Sequence, residues 1–448
     1  MSAVPAAGRL AALVAERERV LAAFLDAEGE RLARACHDMA RAFHRGGMLV
    51  PFGAAAAATD AAHVTVEFMH PVIVGKRALP ALQGVPARPG DIALALAHRP
   101  ADEAARAFLA RSAAAGALTI ALGADAMDAD HALAVPSDDP AVVQEVQETA
   151  YHVLWELVHV FFDHPGLLQD ACITCADVAV EAEVVDIEGA TAVVSVSGAR
   201  EQVAAELVPD LRAGDRVLCH AGVVLERLDP DPAAFLYPFM GDAADDLDSV
   251  LADVRASTVR KGQDTIALRR AIAVEEVAAC AGTVRRALDA GGRLLAFGNG
   301  GSATDAMDLA VDARARGLQA VALVDDVATV TAVGNDVGFE NVFARQLIPL
   351  ARPGDVAFAI STSGSSANIV AGLDEAHRRG MVTVAVTGYD GGRLAELDWL
   401  DHLLVVGGDY VPRLQEAHAT IYHLVLDCLG RPDAGLHDQD AGPDASRR

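Results

Sequence analysis

Apolar residues recur in two sets of short runs that match each other along the chain. Residues 87–96 read ARPGDIALAL and residues 351–360 read ARPGDVAFAI, each a Pro-Gly-Asp turn ahead of an apolar run. That is the pattern of a strand buried on both faces. A helical stretch follows each, then a second apolar strand, ALTIALG at 117–123 and MVTVAVTG at 381–388. Each set closes in a helix with apolar residues at helical spacing, VQEVQETAYHVLWELVHVF at 143–161 and RLQEAHATIYHLVLDCL at 413–429. Each opens on a strand, loop and helix, LVPFGAAAAATDAAHVTVEF at 49–68 and LLAFGNGGSATDAMDLAVDA at 294–313. Strands alternating with helices predict a parallel sheet covered on both faces, so two copies of one α/β domain are expected.

Between the copies the pattern changes. The run EAEVVDIEGATAVVSVSG and its continuation to AGDRVLCHAGVVLERL place short β-branched strands between closely spaced turns, which predicts a small β-barrel. The Pro-rich DPDPAAFLYPF at 229–239 reads as linker, and the polar residues after 432 as a tail. The resulting domains are 1–165, 170–230, a linker at 231–247, 248–432, and a tail at 433–448.

Composition narrows the partners. A chain of 448 residues with a net charge of −27 repels nucleic acid and anionic membranes, which leaves small ligands and proteins. No signal-peptide core opens the sequence, and its longest uncharged stretch, 356–373, is rich in Ser, Thr, Gly and Asn, so no membrane span is expected. Six cysteines are too few for a secreted disulfide framework, which predicts a cytoplasmic setting. Cys36, Cys280 and Cys428, with Trp155 and Tyr422, fall in helical patterns as packing residues.

Two loops of the C-terminal copy suit an anion. Gly298, Asn299, Gly300, Gly301 and Ser302 lie between a strand and a helix, where backbone N–H groups and the helix dipole favour negative charge. Ser361, Thr362, Ser363, Gly364, Ser365 and Ser366 follow another strand and offer hydroxyl donors. Both loops belong at the carboxyl edge of a parallel sheet.

The motifs GNGGSATDA, AVGNDVGFENVFARQ, ARPGDVAFAISTSGSSANIV, TGYDGG and QEAHATIYH, in that order across about 270–430, resemble the phosphoheptose isomerases, which are SIS (sugar isomerase) domains. The resemblance implies two doubly wound SIS-type α/β domains with the barrel between them. It also implies a phosphorylated sugar as ligand, and isomerisation of sedoheptulose 7-phosphate. Asn299, Ser302, Ser361, Thr362, Ser363 and Ser366 would hold the sugar phosphate, and Asp336 would contact the sugar.

Moving a proton between C1 and C2 of a sugar needs an acid and a base on one face. The family uses a His and a Glu four apart, and a Gln and a His eight apart, a set that in some members binds zinc. The C-terminal copy keeps Gln415 and His423 but has Asp308 and Asp312 in place of the first pair. The N-terminal copy keeps His63, Glu67, Gln144 and His152, yet its loops are Ala54–Ala58 and Ala97-His98-Arg99-Pro100, without the hydroxyl set. One alternative is a degenerate scaffold copy. The other is a composite site in which one copy supplies acid, base and a zinc set and the other supplies the phosphate cradle. SIS domains of this kind pair, either within this chain or across a homo-oligomer.

The segment from Cys172 to Leu228 resembles the HypC/HupF chaperones of [NiFe]-hydrogenase maturation, through its leading Cys and the close AGDRVLCHAG at 213–222. The resemblance implies that Cys172 and His220 carry an iron fragment to a hydrogenase large subunit with other maturation factors. Cys175 adds a C-x-x-C pair able to chelate a soft metal. The first reading of the whole chain is therefore a hydrogenase-maturation accessory protein. A metal-assisted isomerase and a non-catalytic phosphosugar sensor are the alternatives.

Overall fold

A computed structural model of the chain describes residues 7–71, 76–168, 180–189, 191–196, 199–205, 208, 211–220, 223–228 and 247–430. The N-terminal half runs α1 (Ala7–His44), β1 (Leu49–Gly53), α2 (Ala57–Met69), β2 (Ile92–Ala97), α3 (Glu103–Ala114), β3 (Leu118–Gly123), β4 (His131–Ala134) and α4 (Pro140–Phe162). Its sheet is parallel, in the order β1-β2-β3-β4. Strand β2 is buried at every position, as its unbroken apolar run requires.

Five strands follow: β5 (Val180–Glu188), β6 (Thr191–Val196), β7 (Ala199–Ala204), β8 (Arg216–His220) and β9 (Val223–Leu228). They close as a barrel in the order β5-β6-β7-β9-β8, antiparallel except where Ala204 pairs with Val223 in parallel. Small and β-branched residues fill its centre, among them Ala182, Val184, Val194, Val217 and Cys219. Cys172 and Cys175 lie outside the described residues, and His220 ends β8 in register with Val223.

The C-terminal half runs α5 (Leu247–Arg270), α6 (Val274–Asp289), β10 (Leu294–Phe297), α7 (Gly301–Ala315), β11 (Ala320–Ala322), α8 (Val327–Val337), α9 (Val342–Leu350), β12 (Val356–Ser361), α10 (Ala367–Arg378), β13 (Val382–Thr387), β14 (His402–Val405) and α11 (Val411–Leu429). The parallel order is β11-β10-β12-β13-β14. Connections leave the neighbours β10 and β12 in opposite directions, so a crevice opens between the loops that follow them. Those are the Gly-rich and Ser-rich loops.

The N-terminal copy is the shorter of the two. Ala81 forms a single parallel bridge to Leu49 where the other copy has β11, and residues 82–91 replace the segment that carries α8 and α9. Asp336, on α8, therefore has no counterpart there.

The two α/β halves pack into one compact unit, and residues 160–250 form another. Helix α1 shows how the halves join: Leu10 and Val14 belong to the core cluster of the C-terminal sheet, together with residues of α6, α7 and α11. Among the described residues no helix is long and apolar enough to cross a membrane.

Candidate functional site

Spacing four on α2 puts His63 and Glu67 on one face, with Nε2 and Oε1 3.7 Å apart. Helix α4 brings His152 to the same point, so one ligand atom from each of the three residues lies within 4.8 Å of the others. All three are buried. The fourth member comes from the other copy: Gln415 Nε2, on α11, is 3.3 Å from His63 Nε2.

This corrects the grouping of His152 with Gln144. Eight residues of helix rise about 12 Å, too far for both side chains to reach one point. Gln144 instead crosses to a mirror cluster, donating to Asp60 Oδ1 at 3.2 Å and approaching Tyr422 Oη at 3.4 Å. There Asp308 accepts from Tyr422 Oη at 2.7 Å and from Thr59 Oγ1 at 3.1 Å. His423 Nε2 stands 3.9 Å from Asp308 and 3.8 Å from Asp312. Sequence pattern places Tyr422 in packing alone, but its hydroxyl belongs to this cluster. His98, on the truncated second loop, is tied to Asp60 at 2.9 Å, and Arg99 is exposed.

His152 and His423 are each oriented by a glutamate from the opposite copy. His152 Nδ1 donates to Glu416 Oε1 at 3.0 Å, and His423 Nδ1 to Glu145 Oε1 at 2.9 Å. Glu416 also faces Arg413 at 2.9 Å and accepts from Thr149 at 3.0 Å and Thr265 at 2.5 Å. Burial opposes its ionisation, yet Arg413 and His152 hold its carboxyl down at about 2. A histidine held this way on Nδ1 presents Nε2 as a lone pair.

Burial keeps His152 below its ordinary value despite Glu416. Burial also pushes His63 down, but Glu67 and Asp305 outweigh it and hold that imidazole above its ordinary value. Glu67 is shifted below the usual carboxylate range, because His63 and His152 outweigh burial.

The Gly-rich loop of the C-terminal copy comes to the N-terminal cluster. Gly301 begins α7 so close to it that a methyl group there would collide with the Gln415 amide and sit 2.7 Å from His63 Nε2. Gly300, at φ 57°, makes the turn that permits this approach. Ser302 is buried in the first turn of α7, and Asn299 exchanges two amide bonds with Asn368, at 2.9 and 2.8 Å. In the neighbouring loop Ser361 is buried, Thr362 and Ser366 are half-buried and Ser363 is exposed. Ser366 stands at the N-cap of α10 without using its side chain as the cap. Asp336 is exposed on α8, accepting from Asn335 at 2.8 Å, and is not part of the buried cluster.

His152 Nε2, Glu67 Oε2 and Gln415 Oε1 are buried without a hydrogen-bond partner. Unpartnered buried polar atoms are costly, and these three belong to one group of neighbouring side chains. Two imidazoles, a carboxylate and an amide oxygen fit a divalent zinc-like ion.

Comparison with known proteins defines the class. The SIS domain family matches residues 263–388, and the HupF/HypC family matches residues 178–237. The C-terminal domain of glucosamine-fructose-6-phosphate aminotransferase from Francisella tularensis shares the fold over 93% of both chains, at 8% identity and a TM-score of 0.52. A phosphoheptose isomerase of Geotalea daltonii is 45% identical over 160 residues, 34% of this chain and 82% of that protein. The structure of a phosphoheptose isomerase from Neisseria gonorrhoeae matches at 40% identity, over 41% of this chain and 98% of that one, with a TM-score of 0.36. The chain belongs to the phosphoheptose isomerase family, and it carries a HypC-like region.

Proposed function

We propose that the SIS pair is a sugar-phosphate isomerase of the phosphoheptose type with one composite site. The N-terminal copy supplies His63, Glu67 and His152, and the C-terminal copy supplies Gln415 and the phosphate cradle. The observation that carries this reading is the approach of Gly301 to Gln415 and His63, which sets the Gly-rich loop of one copy against the acid/base set of the other.

A divalent ion held by His63, Glu67, His152 and Gln415 would polarise the sugar's carbonyl and hydroxyl oxygens. The chain's own groups do the rest. Backbone N–H groups at the start of α7, with Ser302 and the hydroxyls of 361–366, bind the phosphate. Glu67 Oε2, which has no donor, moves the proton between C1 and C2. Burial of the cluster excludes water from the enediol.

The purified chain is expected to convert sedoheptulose 7-phosphate, faster with added zinc; no turnover under either condition sinks the reading. Ser302→Ala should raise KM about tenfold or more, the worth of a hydrogen bond to a charged group at ~1.5–3 kcal/mol. An unchanged KM would place the phosphate elsewhere.

A second reading concerns the barrel, and the HupF/HypC match supports it. Here the fusion is a maturation accessory protein working in the reducing cytoplasm, where thiols stay free. Cys172, with Cys175 and His220, takes an iron carbonyl/cyanide fragment as cargo for a hydrogenase large subunit. Protein purified from a hydrogenase-producing host should show the infrared bands of that fragment, and Cys172→Ser should lose them. Bands that persist in the variant remove Cys172 from the site.

A further inference from the structure

Next to His63 lies a second set of buried donors that the proposed reaction leaves unused. Glu148, one turn before His152 on α4, is 1% exposed, and neither of its oxygens has a hydrogen-bond partner. Asp305, on α7 of the other copy, is 3% exposed, with Oδ2 unpartnered and Oδ1 3.9 Å from His63 Nδ1. One ligand atom from each of His63, Glu148 and Asp305 lies within 4.8 Å of the other two. Three helices, α2, α4 and α7, thus converge two carboxyl groups and an imidazole.

A carboxylate stripped of water and left without a donor is among the costliest arrangements in a core. Burial and the neighbouring Asp305 push Glu148 well above its ordinary range. The nearby Arg269, on α5, turns its Nη2 to Glu145 Oε2 at 3.4 Å and makes no hydrogen bond to Glu148. Shared packing does not require an acid at this position, because the matching residue on α11 is Ala419. Glu148 is therefore an addition of the N-terminal copy, placed where nothing in the fold hydrogen-bonds it.

We propose that His63 Nδ1, Glu148 and Asp305 form a second divalent-cation site, using the ring nitrogen of His63 that the first cluster leaves free. One nitrogen and two carboxylates suit Mn²⁺, Fe²⁺, Co²⁺ or Zn²⁺ better than the all-oxygen preference of Mg²⁺ and Ca²⁺. Tyr151 Oη, 3.2 Å from the same nitrogen, yields to the ion. With both ring nitrogens filled, His63 would bridge the two ions as an imidazolate, its ring proton released to solvent. This site goes beyond the isomerase reading; the expected count of two rests on that reading for the first ion, while Glu148→Gln tests the second site by itself.

The test is equilibrium dialysis of the full chain against Mn²⁺, for which thiolates such as those of Cys172 and Cys175 compete poorly. Two Mn²⁺ per chain are expected in the wild type, one in Glu148→Gln and one in Glu67→Gln. Metal-free Glu148→Gln should melt no lower than the wild type, because the carboxyl it replaces has no hydrogen-bond partner in the fold. A wild-type count of one that falls to none in Glu148→Gln and stays at one in Glu67→Gln removes only the first site, and a count of one that Glu148→Gln leaves unchanged overturns the proposal. So does a Glu148→Gln protein that still binds two, or one that melts well below the wild type without metal, which would mean that the carboxylate is paired in the fold. Absence of isomerase turnover alongside two bound ions would sink only the isomerase reading.

Discussion

Gly301→Ala is expected to lower kcat/KM for sedoheptulose 7-phosphate by about 10³-fold or more, and His152→Ala to do the same. The two residues lie in different copies and on different helices, so equal losses would follow only if both copies build one site. The added methyl meets the Gln415 amide and stands 2.7 Å from His63 Nε2. It either displaces the Gln415 amide, the free end of a flexible side chain, from the cluster or shifts the first turn of α7, which carries the phosphate donors. The mirror position supplies the control. Ala56 occupies the place of Gly301 in the N-terminal loop, with φ −62° and ψ −34°, an ordinary backbone for either residue. Ala56→Gly should leave turnover within about twofold, because its loop faces the cluster in which Asp308 and Asp312 replace His and Glu. If Gly301→Ala keeps near-normal turnover while His152→Ala is dead, the phosphate is held elsewhere and the composite site fails.

Both α/β copies, the barrel and the two anion loops are legible in the amino-acid sequence, because apolar runs, turn residues and glycines all act locally. The pairing of His63 with Glu67 follows from helix geometry. The exchange of Gln144 for Gln415 does not, because it depends on how two halves meet about a pseudo-twofold arrangement. Yet a signal is present, since a Gln and a His eight apart on one helix cannot touch the same atom. Glu148 also carries a signal: it sits between Glu145 and His152 in a helix whose neighbours Val143, Val146 and Ala150 are all buried. The absence of α8 and α9 from the N-terminal copy is readable in the short spacing between RALPAL and ARPGD. The charged groups that orient the two histidines are not readable. Arg17 and Arg269 lie on helices whose patterns look like ordinary amphipathic faces, and only tertiary packing shows them buried against Glu145.

Glu145→Gln is expected to destabilise the SIS pair by about 3–5 kcal/mol at neutral pH, the usual cost of breaking a buried ion pair from one side. Glu145 is fully buried and faces Arg17 at 2.7 Å, Arg269 at 3.4 Å and His423 at 2.9 Å, while accepting from Thr420 at 2.6 Å. Glutamine keeps the shape but takes the paired countercharge from Arg269 and leaves Arg17 with Asp427 alone, 3.2 Å away. A drop in Tm of roughly 5–15 °C should follow. The pH dependence separates this cause from a packing defect. Burial opposes the charge on Glu145, but Arg17, His423 and Arg269 outweigh it and hold its carboxyl far below the ordinary 4.5. A depressed acid stabilises the fold fully above its unfolded value and loses that contribution as pH falls. His423 acts with the opposite sign. Burial lowers it, Glu145 more than compensates, and its folded value lies above 6.5, so its contribution is full below 6.5 and fades as pH rises through that folded value. The Tm gap between wild type and Glu145→Gln should therefore be widest between about pH 5 and 6.5, narrow steeply toward pH 3, and narrow slightly above pH 7. A gap constant from pH 3 to 8 would mean that the variant loses packing, and that Glu145 does not carry the charge that ties the two copies together.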